Sequence, residues 1–222
     1  MKRVTLFAGH YGSGKTNLAV NYALRLARSG VKTLIADLDI VNPYFRTRDS
    51  EAELKTANVR IIVSPYANSN VDVPALPDEM YAVTDDTSYH AVIDVGGDDR
   101  GALALGRLAP ALRLENDCDM LFVANFYRPL TQTASDAYAA LKEIEAASHM
   151  RFTGIINNSN LGALTAPEDI LATDVFAREL SDMSALPLIC TTVEERLAGS
   201  LSGKLKRITP IRLHFRSDWA IY

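Results

Sequence analysis

The sequence predicts an α/β fold: a single three-layer domain with helices on both faces of a mostly parallel, twisted sheet. Short β-rich runs alternate with helical patterns along the 222-residue chain, and this alternation is typical of the strand–helix–strand units of parallel sheets. No internal repeat, low-complexity tract or linker divides the chain. A chain of this length buries roughly 70% of its extended surface, so its core needs neither disulfides nor a metal.

The first strand and the first helix are the most sharply marked elements. Val4–Ala8 is an apolar run that stops at a glycine, as buried strands often do. In the helix predicted over Asn17–Ser29, larger apolar side chains recur every four residues, and Gly30 stands where a glycine commonly ends a helix. Val31–Ala36 is then predicted as the second strand.

The remaining elements follow the same alternation. Further strands are predicted at Arg60–Val63, His90–Val95, Met120–Ala124, Phe152–Ile156 and Leu188–Thr192. Further helices are predicted at Ala102–Leu112, Leu130–Ala147, Pro167–Leu180 and Glu194–Leu201. The domain therefore spans residues 1–203. Residues 204–222 form a basic and aromatic tail, which we expect to pack on the same domain, with docking of a partner or an acidic surface as the alternative.

Composition and charge exclude several classes of protein. A content of 48% apolar and 23% charged residues is that of a globular protein, not of a disordered chain or a membrane bundle. The net charge of −4 provides no general basic field, so we expect no nucleic-acid partner. The sequence shows neither a membrane-spanning run nor a signal-peptide pattern, which predicts a cytoplasmic location. Cys118 and Cys190 are expected to be ordinary strand residues, rather than a disulfide, a metal site or a nucleophile.

The strongest local signal lies between the first strand and the first helix. Residues 9–16 read GHYGSGKT and match G-x-x-x-x-G-K-[ST] in the strand–loop–helix context that this pattern requires. Its glycines let successive backbone N–H groups converge on phosphate oxygens. Lys15 is expected to reach the β- and γ-phosphates, and the Thr16 hydroxyl to ligate Mg²⁺. The predicted nucleotide-binding residues of this region are Gly9, His10, Tyr11, Gly12, Ser13, Gly14, Lys15, Thr16 and Asn17.

Carboxylates at two later strand ends would complete a triphosphate site. Asp37 and Asp39 follow the second strand, and Asp94 ends the fourth strand before a flexible D-x-x-G turn. The carboxyl ends of parallel strands form the ligand crevice of an open sheet, so all three are expected to face the glycine-rich loop. Such carboxylates hold the metal and orient a water molecule. A helix cap or turn residue is the alternative role for each.

The order of these motifs resembles the MinD/ParA/nitrogenase-iron-protein group (CobQ/CobB/MinD/ParA) of the SIMIBI class of P-loop ATPases. The glycine-rich loop is followed by D-x-D at residues 37–39 and by D-x-G-G near residue 95. Residues 154–159 are similar to the strand of that group that ends in an adenine-binding asparagine. The resemblance spans most of residues 1–200 and implies a P-loop ATPase fold, ATP and Mg²⁺ as ligands, and ATP hydrolysis.

The resemblance also implies roles for single residues. Asp39 would position the hydrolytic water, while Asp37 and Asp94 would support the metal through water. Asn158 would contact the adenine, with Asn157 as the reserve. The N-K-x-D and T-K-x-D motifs of guanine-specific proteins are absent at this strand end, which favours ATP over GTP.

Members of this group often form a homodimer that sandwiches two nucleotides. Their signature lysine corresponds to His10 in this chain, and Tyr11 stands where a glycine is usual. A protonated histidine would replace part of the lysine charge, although a histidine is mostly neutral at neutral pH. Packing of His10 against the loop is the alternative, so a homodimer stays an open expectation.

Three functions are compatible with these features. The first is a Mg²⁺-dependent ATPase that acts as a nucleotide-driven switch on a client protein, through the segments Ile40–Arg48 and Gly96–Gly101. The second is a small-molecule phosphotransferase or ATP-dependent ligase, in which Arg100, Arg107 and Arg128 would grip an anionic acceptor. The third is a nucleotide-binding maturation factor or adaptor with little turnover.

Overall fold

An eight-stranded sheet forms the centre of the computed structural model, which describes residues 1–38, 48–63, 78–96 and 99–214 except for the side chains of residues 48, 49, 99 and 100. The strands are β1 (Val4–Ala8), β2 (Thr33–Asp37), β3 (Arg60–Val63), β4 (His90–Asp94), β5 (Cys118–Ala124), β6 (Gly154–Asn157), β7 (Leu188–Glu194) and β8 (Ile208–Ile211). Their order is β3-β2-β4-β1-β5-β6-β7-β8, and every pairing is parallel. The prediction of a single α/β domain is therefore confirmed.

The α-helices lie between the strands in sequence. They are α1 (Lys15–Arg28), α2 (Arg48–Thr56), α3 (Ala82–Asp85), α4 (Asp99–Glu115), α5 (Ala134–Ser148), α6 (Pro167–Ser184) and α7 (Glu195–Leu201). None of the described helices is long and apolar enough to cross a membrane.

Alternate residues of the strands face two different cores. Leu6 and Ile93 contribute to the core formed with α4, α5 and α6, whereas Phe7 and Ile35 contribute to the core formed with α1 and α2. All four side chains are at most 2% exposed, and burying a side chain of this size stabilises the fold by about 1.5–3 kcal/mol. Helices therefore form the outer layers and the sheet forms the middle layer, as predicted.

The carboxyl ends of β1, β2 and β4 lie side by side, on the side of the sheet here called its carboxyl edge. The pairing register places Asp94 beside both Asp37 and Phe7, and the backbone N–H of Leu38 donates to the Asp94 carbonyl oxygen at 2.8 Å. Because β1 lies between β4 and β5, the loop after β1 is flanked by the loops that follow both neighbours. This edge brings the glycine-rich loop and the strand-end acids together.

Three elements were not predicted from the sequence: α2, α3 and β8. Helix α2 buries Ser50 and Leu54 and is otherwise mostly polar, so its apolar periodicity is weak. Strand β8 contains Pro210 and pairs with β7 alone among the described strands. A proline lacks the backbone N–H that a central strand needs, but it is tolerated at the edge of a sheet.

The start of α5 differs from the prediction by four residues, since the helix begins at Ala134 rather than at Leu130. Thr133 caps the helix by accepting from the backbone N–H of Asp136, and the Asp136 side chain accepts in return from the backbone N–H of Thr133. This capping box fixes the first turn of the helix. The preceding residues Pro129–Thr131 form a separate 3-10 turn.

Candidate functional site

The glycine-rich loop (residues 9–16) joins β1 to α1 in a conformation that depends on its glycines. Gly12 and Gly14 have φ values of 75° and 86°, in the left-handed region that glycine adopts at little cost. A Cβ on Gly14 would lie 2.4 Å from Nδ2 of Asn158, and a Cβ on Gly9 would lie 2.4 Å from the carbonyl oxygen of Val123. Backbone conformation and close neighbours therefore both require these glycines.

Helix α1 begins at Lys15, so the loop ends at the N-terminus of a 14-residue helix. Backbone N–H groups of the first turn and the positive end of the helix dipole make this position suited to an anion. The Lys15 side chain is 7% exposed, and its Nζ donates to the carbonyl oxygen of His10 at 3.2 Å. The ammonium group therefore lies against the loop.

Thr16 and Asp94 are in direct contact beside the start of α1. Thr16 Oγ1 donates to Asp94 Oδ2 at 2.5 Å. Asp94 and Asp37 are each 1% exposed, and they end adjacent strands at the same level of the sheet. One hydroxyl and two carboxylates provide hard oxygen ligands, which suit Mg²⁺ when phosphate oxygens and water complete the coordination. The residues present therefore fit this metal.

Side chains from two other loops hold the outer side of the glycine-rich loop. Arg128, in the loop after β5, donates from Nε to the carbonyl oxygen of Gly12 at 2.9 Å. Asn158, directly after β6, donates from Nδ2 to the carbonyl oxygen of Ser13 at 2.6 Å. The C=O and N–H of one planar trans peptide point in opposite directions. Holding these two carbonyls outward therefore turns the N–H groups of Ser13 and Gly14 toward the inner side of the loop.

The two asparagines predicted for the nucleobase have different surroundings. Asn158 is 3% exposed, and its Oδ1 accepts from Thr192 Oγ1 at 2.5 Å, so both ends of its amide bond to protein groups. Asn157 is fully buried, where it donates to Thr173 Oγ1 at 3.1 Å and accepts from Ser159. An adenine contact by Asn158 would exchange one of its two bonds, and Asn157 belongs to an internal polar network.

Asn17 and Tyr11 of the predicted nucleotide-binding segment differ in burial, since Asn17 is buried and Tyr11 is exposed. The Asn17 side chain donates to the carbonyl oxygen of Arg212 at 2.9 Å and accepts from the backbone N–H of His214 at 2.9 Å. It therefore ties the first turn of α1 to the segment after β8. Tyr11 is 54% exposed and lies at the surface of the loop.

Several residues predicted for the switch segments lie outside the described residues. They are Asp39, residues 40–47, Gly97 and Asp98, together with the side chains of residues 48, 49, 99 and 100. The catalytic role predicted for Asp39 therefore stays a prediction.

The contact of Arg128 with the glycine-rich loop was not predicted from the sequence. Arg128 was one of three arginines expected to grip an acceptor, of which Arg107 is exposed on α4. No motif marks Arg128, and the signal available was its place directly before Pro129 in a loop at the carboxyl edge of the sheet.

Both cysteines are free and half-buried in strands. Burial raises the pKa of each thiol, which keeps Cys118 and Cys190 protonated.

No family model matches the chain, and no curated protein matches its sequence. Solved structures of FtsY proteins are similar in fold. The chloroplast FtsY of Physcomitrella patens has a TM-score of 0.60 and 18% identity, over 86% of this chain and 58% of that one. The cell division protein ftsY of Thermotoga maritima has a TM-score of 0.63 and 16% identity, over 86% and 62%. The signal recognition particle receptor FtsY of Elizabethkingia anophelis, in complex with GDP, has a TM-score of 0.53 and 17% identity, over 87% and 58%.

At this level of identity the similarity shows the fold. The fold shared with these FtsY structures is the α/β fold of a P-loop NTPase. This confirms the predicted fold class, whereas membership of the SIMIBI class and of its MinD/ParA branch stays a prediction. The chain spans 58% and 62% of the length of the Physcomitrella and Thermotoga proteins.

Proposed function

We propose that this chain is a Mg²⁺-dependent ATPase that acts as a nucleotide-driven switch on a partner protein. The observation that carries the proposal is the contact between Thr16 and Asp94. In P-loop NTPases the hydroxyl at this loop position binds the metal, and a strand-end carboxylate helps to hold it. Here the Thr16 hydroxyl and the Asp94 carboxylate meet across 2.5 Å beside the N-terminus of α1, so both groups would be available to hold Mg²⁺.

Each group of the site performs one part of the work. The inner N–H groups of the glycine-rich loop and the Lys15 ammonium bind the phosphates. Thr16 would hold Mg²⁺, and Asp94 and Asp37 would support it. When bound, the ion would supply neutralisation of charge on the phosphate oxygens. Asp39, by the resemblance to the MinD/ParA group, positions the attacking water.

We propose ATP rather than GTP as the ligand. Residues 157–160, which end β6 and begin the next loop, carry three amides and one hydroxyl and no carboxylate. Guanine offers an N1–H and an exocyclic amine, and an ionised carboxylate accepts both better than an amide, which has a single acceptor oxygen. Since the Elizabethkingia structure is a GDP complex, GTP is the competing ligand that an experiment must include.

The switch would work through the segments that follow Asp39 and Asp94, which ATP orders and hydrolysis releases. One structural feature links the second segment to α4. A Cβ on Gly101 would lie 2.5 Å from the Cα of Gly96, so the turn after Asp94 and the first turn of α4 are in close contact. A change at the Asp94 turn would therefore be felt at the first turn of α4.

The test measures binding and hydrolysis of Mg²⁺-ATP and Mg²⁺-GTP by the wild type and by variants. Lys15→Ala should lower the affinity for ATP by about 100-fold, because it removes a charge that contacts phosphate. Lys55→Ala is the matched control, since Lys55 is an exposed lysine of α2 that pairs with Glu51. Asp39→Asn should bind ATP like the wild type and hydrolyse it at least about ten-fold more slowly.

Each other outcome has a defined meaning. Absence of binding of either nucleotide to the wild type would refute the proposed function, and preference for GTP would overturn the choice of base. Undiminished hydrolysis by Asp39→Asn would refute the role of Asp39. Phosphate release that depends on an added metabolite would favour the phosphotransferase alternative, and solution mass with and without Mg²⁺-ATP reports whether a homodimer forms.

A further inference from the structure

We infer that Arg128 is a positioning residue of the glycine-rich loop, which sets the affinity of the site for polyphosphates. The inference rests on the proposed function and adds a residue from outside the loop motif. Arg128 Nε donates to the carbonyl oxygen of Gly12 at 2.9 Å, across 116 positions of sequence. A hydrogen bond from a charged donor to a backbone carbonyl is stronger than a neutral one.

The backbone that carries Arg128 is held on both sides. Its N–H donates to the carbonyl oxygen of Asn125 at 3.2 Å, and its own carbonyl accepts from the backbone N–H of Thr131 at 3.0 Å. The Thr131 hydroxyl adds a buried bond of 2.7 Å to the same Asn125 carbonyl. Pro129 begins a 3-10 turn immediately afterwards and restricts Arg128 to an extended backbone. The guanidinium is therefore presented by a rigid loop.

The contact acts on the turn that precedes Lys15. With the Gly12 carbonyl held outward, the Ser13 N–H is directed inward, where it donates to the carbonyl oxygen of His10 at 3.2 Å. Lys15 Nζ donates to the same His10 oxygen at 3.2 Å. Arg128 thus holds the outer side of the turn whose inner side carries the phosphate-binding groups.

The contact matters because the residue that it holds, Gly12, is a glycine. Gly12, with φ of 75°, has no side chain to restrict its backbone, so the orientation of its peptide depends on the hydrogen bonds that hold it. Asn158 fixes the next carbonyl, that of Ser13, from the adjacent loop. The Gly12–Ser13 peptide itself is held by the Arg128 bond to its carbonyl and by the 3.2 Å bond from its N–H to His10. Without Arg128 this peptide loses one of these two bonds, and the ordering that must then accompany ligand binding costs affinity. This loss of affinity should be the same for every ligand with the same phosphate chain, whatever its nucleobase.

The experiment measures the binding of Mg²⁺-ATP, Mg²⁺-GTP and Mg²⁺ with inorganic triphosphate by calorimetry. Arg128→Ala should weaken every ligand that the wild type binds by the same factor, about five- to ten-fold. Arg128→Lys should restore part of the affinity, since it keeps a charged donor. Arg113→Ala is the matched control and should bind like the wild type. Arg113 is an exposed arginine near the end of α4, at the opposite edge of the sheet, and it also donates to a backbone carbonyl, that of His149, at 3.3 Å.

Equal affinities for Arg128→Ala and the wild type would overturn the inference and leave the proposed function intact. A loss confined to the nucleotides, with inorganic triphosphate unaffected, would also overturn it, because it would place Arg128 at the nucleobase. The same loss in Arg113→Ala would assign the effect to general charge. Unfolding midpoints are measured in parallel, and an affinity loss that only tracks the fraction of unfolded protein would reject positioning. A wild type that binds none of these ligands would instead refute the proposed function.

Discussion

At the scale of single residues, asparagine side chains connect the loops of the site. Asn158 joins the glycine-rich loop to Thr192 of β7, and Asn17 joins α1 to the segment after β8. A carboxamide donates and accepts at once, so one neutral side chain bridges two backbone segments without the cost of a buried charge. The amide of Asn158 thus supports the loop conformation even where no nucleobase is involved.

Replacing Asn158 by Asp tests this structural role. The carboxylate keeps the shape of the side chain and still accepts from Thr192, but it places an oxygen instead of a donor against the Ser13 carbonyl. We expect the affinities for ATP and for inorganic triphosphate to fall together by about ten-fold, measured by calorimetry with Mg²⁺. Asn58→Asp, which adds the same charge in the turn before β3, is the control. A loss of ATP affinity alone would assign Asn158 to the adenine instead.

The residues that the sequence predicted for the site are those whose role depends on local backbone. Gly12, Gly14, Lys15 and Thr16 are recognisable because a phosphate loop needs these residue types at fixed spacing. Arg128 was not recognisable in this way, because its contact with Gly12 crosses 116 positions and depends on which loops the sheet brings together. A long-range contact of one exposed side chain leaves no periodic or spaced pattern in the sequence.

At the scale of elements, the helices and strands with many buried side chains were the ones that the sequence predicted. Strands such as β1, which is buried along its whole length, are visible as apolar runs. Helix α2 and strand β8 were missed because each contributes few buried side chains and because β8 contains Pro210. The predicted start of α5 at Leu130 was wrong. Leu130 is apolar but 61% exposed, so it does not belong to the buried face of the helix from which the start was predicted. Sequence patterns therefore located buried elements better than peripheral ones.

The segment after β8 provides a prediction about pH. The His214 side chain is 7% exposed and lies 3.3 Å from Glu53, and its Nε2 has no hydrogen-bond partner among the described residues. Burial lowers the pKa of His214, with Arg212 and Arg28 acting in the same direction and Glu53 and Glu195 opposing it. The unfolded chain therefore binds the proton more readily than the folded chain.

The free energy of unfolding should consequently decrease as the pH falls from the unfolded pKa of 6.5 through the lowered folded value. His214→Gln removes the titrating group and should lose less stability over this range than the wild type. Urea unfolding of both proteins at about pH 7.5 and about pH 5.5 checks this, since a free histidine titrates between them. Equal losses in the two proteins would show that His214 does not carry the effect.

At the scale of the whole molecule, the two edges of the sheet have separate roles. The carboxyl edge holds the glycine-rich loop, Asp37 and Asp94, whereas the opposite edge is braced by a buried cation. Arg3, at the start of β1, is 8% exposed and forms an ion pair with Glu115 at the end of α4. It also donates to the carbonyl oxygens of Tyr89 at 3.1 Å and Val83 at 3.0 Å. One side chain thus connects β1, α3, α4 and the residue before β4.

Arg3→Met should therefore lower stability without altering the nucleotide site. It keeps the apolar stem but leaves a half-buried carboxylate and two carbonyls without their donor, a loss of about 2–4 kcal/mol. Combining it with Glu115→Leu should recover part of that loss, because the unpaired carboxylate is then gone. Urea unfolding measures the stability, and calorimetry with Mg²⁺-ATP, at a temperature where every variant is folded, should return the wild-type affinity. If the affinity for Mg²⁺-ATP fell together with stability, the two edges would not be independent. The packing of β1 would then have to transmit the disturbance along the strand to the glycine-rich loop.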